Sequence, residues 1–192
     1  MINFSNVTFI KSAPGLADAP KGGYPEVLIV GKSNVGKSSL INALCQRKSL
    51  AFTSSKPGHT RLLNYYDVDH RFYLIDAPGY GYAKGGVDLD KLFGEMMSNY
   101  FAEAKNLKLV LLLLDARREL GENDLDILSY MEEYDINYYM VITKVDKVNQ
   151  SEKAKLLKHL KEMNIIEEKV YLTSSLDNKT LTKLKSGIEK AL

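Results

Sequence analysis

The amino-acid sequence predicts a single α/β domain of the doubly wound class, with helices on both faces of a mostly parallel sheet. Short, wholly apolar runs such as "EVLIV" (26–30) and "LVLLLL" (109–114) are typical of strands that are covered on both faces. Amphipathic segments with helical periodicity separate these runs, and this alternation favours βαβ units. A length of 192 residues is typical of one domain.

The predicted elements follow one another in a regular order along the chain. Strands are predicted at 6–13, 26–30, 65–68, 71–75, 107–115, 136–143 and 169–175. Helices are predicted at 37–46, 89–105, 121–135, 151–164 and 179–192. The two strands on either side of Asp69 and His70 are predicted to form a hairpin. Segments 49–64 and 76–88 have little periodicity and are predicted to be long loops.

The composition excludes several classes of protein. The net charge is +2, so bulk charge does not indicate nucleic-acid binding. The single cysteine, Cys45, excludes an internal disulfide and a cysteine-based metal site, and its apolar neighbours predict a small core residue. The N-terminal residues lack the pattern of a signal peptide, and the longest apolar run is too short to span a bilayer. We therefore expect a cytoplasmic protein.

A phosphate-binding loop is predicted from "GKSNVGKS" (31–38), which fits the pattern G-x-x-x-x-G-K-S. The motif follows a predicted strand and opens a predicted helix, which is the context that it requires. Backbone N–H groups of such a loop surround phosphate oxygens, and the helix N-terminus adds partial positive charge. Lys37 can contact the β- and γ-phosphates, and the Ser38 hydroxyl can bind Mg²⁺. The alternative is a chance Gly/Ser-rich turn, and the loop alone leaves ATPases, kinases and GTPases open.

A guanine-binding motif is predicted from "TKVD" (143–146), which follows a predicted strand. The Asp146 carboxylate can accept two hydrogen bonds from guanine, whereas adenine would leave this charge unpaired, a discrimination of about 10⁴-fold or more. The aliphatic part of Lys144 can cover the plane of the base. "TSS" (173–175) ends the next strand and can support the base from the other side. A solvated turn is the alternative for T-K-x-D alone, but the order of the two motifs favours guanine.

A γ-phosphate-sensing loop is predicted from "DAPG" (76–79) at the end of another strand. Asp76 is expected to reach the metal through a water, and the Gly79 N–H is expected to meet the γ-phosphate. The next residue is Tyr80, whereas Ras-like GTPases have a glutamine there that orients the attacking water. A phenol ring cannot replace that amide, so another group must orient the attacking water.

A second sensing residue is predicted in the long loop that contains "KPGHT" (56–60). The Thr60 hydroxyl can complete the Mg²⁺ shell when a γ-phosphate is present. Thr53, Ser54 and Ser55 are rival candidates. Thr60 is preferred because the preceding Pro-Gly pair can turn the chain back towards the phosphates.

These motifs together resemble the EngB (YihA/YsxC) family of bacterial GTPases, within the TrmE-Era-EngA-EngB-septin-like superfamily. The resemblance covers nearly the whole chain, and "DAPGYGYA" combined with "SNVGKSSLINAL" is quite specific to this family. Lys32 and Lys56 depart from the family pattern, where arginine and threonine are common.

The resemblance implies a Ras-like P-loop GTPase domain with a mostly parallel six-stranded sheet, one antiparallel strand and helices on both faces. It is consistent with a division of the chain into an N-terminal extension (1–22), formed by a strand and a loop and packed on the GTPase domain, and an EngB-type GTPase domain (23–192). It implies slow Mg²⁺-dependent hydrolysis of GTP and a cytoplasmic monomer. It also implies a role in assembly of the large (50S) ribosomal subunit, with rRNA and ribosomal proteins as partners and with effects on cell division and septation.

The resemblance also implies site residues. Ser38 and Thr60 are implied as Mg²⁺ ligands, and Asp76 as a ligand through water. The implied GTP contacts are Gly31, Lys32, Ser33, Asn34, Val35, Gly36, Lys37, Ser38, Gly58, His59, Thr60, Arg61, Leu62, Asp76, Ala77, Pro78, Gly79, Thr143, Lys144, Val145, Asp146, Thr173, Ser174 and Ser175.

Asn34 has two interpretations. In the TrmE-type GTPases that the chain resembles, this position helps to hold a K⁺ ion that supplies the positive charge of an arginine finger, a group that contributes about 10³ to 10⁵ in rate. The other interpretation is that Asn34 only shapes the loop.

Two other classes of function compete with the GTP-driven switch. A P-loop metabolic kinase would have no reason to carry T-K-x-D. A nucleotide-dependent scaffold or cell-division factor without a direct ribosome role would not need Ser38, Thr60 and Asp76, which are required for sensing a γ-phosphate.

Overall fold

The computed structural model describes residues 1–51, 62–81 and 89–192. In these ranges the strands are β1 (Val7–Ala13), β2 (Glu26–Gly31), β3 (Leu63–Val68), β4 (Phe72–Asp76), β5 (Leu107–Asp115), β6 (Tyr138–Thr143) and β7 (Val170–Leu172). The α-helices are α1 (Lys37–Leu44), α2 (Leu89–Glu103), α3 (Glu122–Glu133), α4 (Gln150–Glu162) and α5 (Asn178–Ala191). The predicted α/β alternation is confirmed.

The strands form one sheet in the order β1-β3-β4-β2-β5-β6-β7. Strand β3 runs antiparallel to both of its neighbours, and the remaining pairs are parallel, as predicted. Within the described ranges the sheet has seven strands rather than six, because β1 pairs along β3 from Val7 opposite Val68 to Ala13 opposite Leu63. The N-terminal residues therefore extend the sheet at its edge.

Both faces of the sheet are buried, which explains the wholly apolar strand sequences. On β2, Leu28 and Val30 pack into one core with residues of α2, α3 and α4. Val27 and Ile29 point to the opposite face and pack into a second core with residues of α1 and α5. Side chains alternate across a strand, so a strand between two cores must be apolar at every position.

The predicted hairpin is present between β3 and β4. Asp69 and His70 both have positive φ angles, of 56° and 52°, which is the left-handed backbone of a tight hairpin turn. The Asp67 carboxylate accepts a hydrogen bond from the His70 backbone N–H at 2.9 Å and so supports this turn. The hairpin makes β3 antiparallel and delivers β4 to the centre of the sheet.

Two other sequence predictions concern the cores and the membrane. Cys45 is fully buried, and burial raises the pKa of its thiol to about 12, as expected of a core residue. Among the described helices, none combines the length and apolar character needed to cross a membrane.

Replacement of Leu28 by alanine should lower the free energy of unfolding by about 2 to 5 kcal/mol, because it leaves a cavity in the central strand. Urea unfolding of the variant would measure this loss. Leu125→Ala is the matched control, because Leu125 is 42% exposed on α3 and its loss should cost less than about 0.5 kcal/mol. Equal losses in the two variants would contradict the assignment of Leu28 to the core.

Candidate functional site

The carboxyl ends of the parallel strands meet at one edge of the sheet, and the motifs predicted from the sequence lie there. Strand β2 ends at Gly31, β4 at Asp76, β5 at Asp115 and β6 at Thr143. Ligands of doubly wound folds bind at this edge. The strand ends therefore bring together segments that are far apart in the sequence.

The phosphate loop connects β2 directly to α1 through a strongly curved backbone. Asn34 and Gly36 both have positive φ angles, of 63° and 113°. A left-handed backbone of this kind turns successive N–H groups towards a common centre, where they can surround an anion. Lys37 opens α1, and its Nζ donates a hydrogen bond to the Gly31 carbonyl oxygen at 3.3 Å. The loop thus has the shape that its sequence predicts.

The sensing loop is packed directly against the phosphate loop. The Ser33 N–H donates a hydrogen bond to the Tyr80 carbonyl oxygen at 2.9 Å, and Lys32 and Tyr80 form a short parallel bridge. A Cβ atom at Gly79 would lie 2.8 Å from Ser33 Oγ and 3.0 Å from Lys37 Nζ. A side chain at this position would therefore collide with the phosphate loop, and glycine allows the close approach.

Asp76 is a buried carboxylate whose environment leaves one oxygen open. Its Oδ1 atom is buried and has no hydrogen-bond partner within the described parts of the chain. Burial raises the pKa of Asp76 to about 6, against the charge of Lys37, which lowers it. Burial likewise lowers the pKa of Lys37, and the Asp76 charge opposes that shift. The two opposite charges support each other, but they do not offset the full cost of burial.

An Mg²⁺ ion fits the residues present at this site. Mg²⁺ in nucleotide sites keeps several waters and uses only one or two protein oxygens besides the phosphates. The open Oδ1 of Asp76 can receive a metal-bound water, and Ser38 lies in the first turn of α1 beside Lys37. Residues 1–51, 62–81 and 89–192 contain no cluster of three or more His, Cys, Asp or Glu side chains, so a metal held by protein carboxylates alone does not fit them.

The predicted base motif is tied to the phosphate loop by two side chains. Thr143 Oγ1 donates a hydrogen bond to the Val35 carbonyl oxygen at 2.7 Å. Lys144 adopts a left-handed backbone, with φ of 58°, and its Nζ donates to the Asn34 carbonyl oxygen at 2.8 Å. The Lys144 side chain therefore crosses above the phosphate loop instead of extending into solvent.

Asp146 presents its carboxylate beside the loop that follows β7. A hydrogen bond with the Ser174 side chain is the main cause that lowers the pKa of Asp146, and the nearby Lys147 contributes. The Val145 N–H donates to the Thr173 carbonyl oxygen at 3.3 Å, which joins the two loops. Asp146 is exposed and charged at neutral pH, as a group that recognises a base from solution must be.

Sequence reasoning missed Asp115, which ends β5 between the other site residues. Its carboxylate accepts two hydrogen bonds from the Arg117 guanidinium, at 2.9 and 2.7 Å, and lies 2.9 Å from Lys144 Nζ. Burial alone would raise the pKa of Asp115, but the hydrogen bonds from Arg117 and Lys144 hold it well below its usual range. The signal was available, because Asp115 ends a buried strand in the same way as Asp76.

Some predicted site residues lie away from the centre of the site or outside the described residues. Residues 58–61, which include the proposed metal ligand Thr60, lie outside the described residues. Leu62 is described, and it is exposed just before β3. Asn34 is exposed, and its left-handed backbone supports the interpretation that it shapes the loop. The interpretation that it holds K⁺ stays a prediction.

The chain is similar in sequence to proteins of a known family. Residues 26–144 match a family model described as "50S ribosome-binding GTPase". The chain is 50% identical over 149 residues to the "Probable GTP-binding protein EngB" of Geotalea daltonii, with 78% of this chain and 72% of that protein covered.

Two solved structures are also similar. A crystal structure of a probable GTP-binding protein engB superposes with a TM-score of 0.68 at 23% identity, covering 86% of this chain and 97% of that one. At this identity the likeness concerns the fold. A crystal structure of Era in complex with MgGDPNP and nucleotides 1506–1542 of 16S ribosomal RNA gives a TM-score of 0.66 at 26% identity, covering 88% of this chain and 57% of that one.

Asp76→Asn should stabilise the nucleotide-free protein at pH 7.5 by roughly 1 to 3 kcal/mol. The folded-state pKa of Asp76, about 6, lies above the ordinary value of 3.8, so the charged form destabilises the folded state above pH 6. The wild type recovers this stability as the pH falls from about 6 to 4, and the difference from the variant should then close. Urea unfolding in EDTA at pH 7.5 and at about pH 4 measures the difference in stability between the wild type and the variant.

The control for this change is Asp126→Asn, which removes an exposed carboxylate from α3 and should have little effect. A less stable Asp76→Asn variant at pH 7.5 would contradict the prediction, because it would mean that the folded protein fully compensates the charge.

Asp146→Asn should weaken GTP binding by about 10²-fold or more and improve binding of xanthosine triphosphate. The asparagine amide can donate a hydrogen bond to the C2 carbonyl of xanthine, whereas it loses the two bonds with guanine. Fluorescence titration with both nucleotides measures the change. Unchanged GTP affinity would remove Asp146 from the base pocket.

Proposed function

Because the chain belongs to the EngB family of GTP-binding proteins and is a GTPase, we propose that it is an Mg²⁺-dependent switch in assembly of the large ribosomal subunit. In this proposal the GTP-bound form docks on a ribosomal precursor and hydrolysis releases it. The protein acts in the cytoplasm as a monomer, and its loss disturbs cell division and septation.

The open, buried oxygen of Asp76 is the observation that carries the switch. A buried carboxylate without a partner is costly, and a folded protein keeps one where a ligand completes it. Asp76 lies close to Lys37, and Gly79 is packed on the same lysine. A protein that used its nucleotide only as a structural element would need the phosphate loop and base motif, but it would not need this arrangement.

The proposed roles follow the geometry of the strand ends. The phosphate loop (31–38) holds the phosphates with its backbone N–H groups, and Lys37 neutralises the β- and γ-phosphates. Ser38 and Thr60 would hold Mg²⁺ directly, and Asp76 would hold it through a water. When bound, Mg²⁺ neutralises the charge that develops on the phosphates. Segments 143–146 and 173–175 hold the guanine base. Residues 58–62 are further proposed contacts of GTP, and 58–61 of them lie outside the described residues.

Hydrolysis in this site must proceed without a glutamine at position 80. Two groups can offset the charge of the transition state in our proposal. One is a K⁺ ion held by Asn34, and the other is a group supplied by the ribosomal particle. The second alternative predicts slow turnover by the isolated protein, because the isolated protein then lacks that group.

A matching family and a similar structure support a ribosomal partner. The family model that matches this chain is described as 50S ribosome-binding, and the similar Era structure contains ribosomal RNA. The main alternative is a nucleotide-dependent scaffold or a cell-division factor without a direct ribosome role. We propose further that residues 1–22 are an extension of the GTPase domain (23–192), since β1 is added at the edge of the sheet, where it pairs with β3.

Co-sedimentation with large ribosomal subunits tests this function. With Mg²⁺ and a non-hydrolysable GTP analogue, the wild type should bind subunits about 5- to 150-fold more tightly than with GDP, the range typical of coupled sites. Lys37→Ala should lose the nucleotide dependence while keeping its circular dichroism spectrum. Lys158→Ala on the exposed face of α4 is the matched control and should behave as the wild type.

The other outcomes separate the alternatives. Equal sedimentation with GTP analogue and GDP would favour the scaffold, and no sedimentation with either would exclude the ribosomal partner. A preference for adenine nucleotides over guanine nucleotides in fluorescence titrations would contradict the assignment of the base pocket.

A further inference from the structure

We propose that Tyr80 and Asp124 form a positioning pair, in which the buried Tyr80 hydroxyl, held by Asp124, fixes the Gly79 N–H where the γ-phosphate of GTP binds. The inference rests on the proposed GTP switch and deepens it. It gives Tyr80 a role different from that of the glutamine found there in Ras-like GTPases.

The Tyr80 backbone belongs to the phosphate site. Its carbonyl oxygen accepts the Ser33 N–H at 2.9 Å, inside the phosphate loop. Gly79 precedes it directly and packs so closely on Ser33 and Lys37 that an added Cβ would lie within 3.0 Å of both. A rotation of the Tyr80 backbone therefore moves the Gly79 N–H relative to Lys37.

The Tyr80 side chain points the other way, into the core between α2 and α3. It is only 2% exposed, and its ring centroid lies 5.1 Å from that of Phe93 on α2. Its hydroxyl donates a hydrogen bond to Asp124 Oδ1 on α3. Burial, followed by the Asp124 charge, raises the pKa of Tyr80 far above its ordinary value, so the hydroxyl keeps its proton and remains a donor.

Asp124 is held rigidly enough to serve as an anchor. It is 1% exposed, and its Oδ2 accepts the Gly121 N–H at 2.8 Å at the start of α3. The Arg118 guanidinium donates a second hydrogen bond to the same oxygen. Three donors from three different residues thus surround one buried carboxylate, and bonds of this charge-assisted kind are the stronger ones in proteins.

The positioning role of the Tyr80 hydroxyl can be distinguished from the packing role of the Tyr80 ring. Phenylalanine at position 80 would fill the same space and keep the contact with Phe93, but it would not bond to Asp124. The ring would then be held by dispersion alone, which is not directional. Because GDP has no γ-phosphate, a displaced Gly79 N–H should weaken the binding of GTP and leave the binding of GDP nearly unchanged.

The experiment compares Tyr80→Phe with the wild type in Mg²⁺ buffer. The Kd for a non-hydrolysable GTP analogue should rise about tenfold, the kcat for GTP should fall by a similar factor, and the Kd for GDP should stay within about twofold. Tyr130→Phe is the matched control. It removes a tyrosine hydroxyl from α3, away from the pair of Tyr80 and Asp124, and should leave both Kd values and the kcat unchanged.

A second variant tests whether Tyr80 acts through Asp124. Asp124→Ala should reproduce the loss of GTP preference, and the Tyr80→Phe/Asp124→Ala double variant should lose no more than Asp124→Ala alone. Glu122→Ala, in the same first turn of α3, controls for the lost helix-terminal charge. Thermal unfolding shows whether each variant remains folded.

The outcomes decide between the inference and its alternatives. Equal changes in GTP-analogue and GDP affinity, a lowered Tm alone, or additive losses in the double variant would overturn the positioning pair and leave Tyr80 a core residue. A wild type that binds neither the GTP analogue nor GDP would instead remove the GTP switch, and the pair with it.

Discussion

The phosphate loop can keep its curved backbone only because neighbouring strand ends hold it from both sides. On one side, Thr143 and Lys144 bond to the Val35 and Asn34 carbonyl oxygens. On the other side, the Tyr80 carbonyl oxygen accepts the Ser33 N–H. These bonds occupy the outward-facing groups of the loop, so the loop does not need a ligand to fill them. The inward-facing N–H groups remain for an anion.

This preorganisation has a cost in the charges that it places at the sheet edge. Asp76 and Lys37 are both removed from water. Burial raises the pKa of Asp76 and lowers the pKa of Lys37, which favours the neutral form of each. A folded protein tolerates such groups where ligand binding later compensates them. The two apolar cores on either side of the sheet provide the stability that allows this arrangement.

The sequence predicted the parts of the site whose signal is local. The phosphate loop, Asp76 and the base motif each consist of a short pattern after a strand, so their positions follow from strand order alone. Asp124 and Arg118 lie in no such pattern. The importance of Asp124 comes from its hydrogen bond with Tyr80, 44 residues away, and that of Arg118 from its hydrogen bond with Asp124. The strand at 6–13 was predicted, but its place in the sheet was missed for a similar reason, since pairing of β1 with β3 is a long-range contact. The sequence singled out Tyr80 only because a phenol ring cannot replace the glutamine amide found at this position in Ras-like GTPases.

The connection between β5 and α3 supports both ends of the nucleotide site. Asp115 holds Lys144 on the base side, and its carbonyl oxygen accepts the Arg118 N–H at 3.0 Å. Arg118 in turn donates to Asp124, which holds Tyr80 on the γ-phosphate side. Each of these contacts is a hydrogen bond or ion pair, whose strength falls steeply with misalignment. A displacement of this segment therefore disturbs the base and γ-phosphate ends together, whereas loss of the Tyr80 hydroxyl disturbs only one.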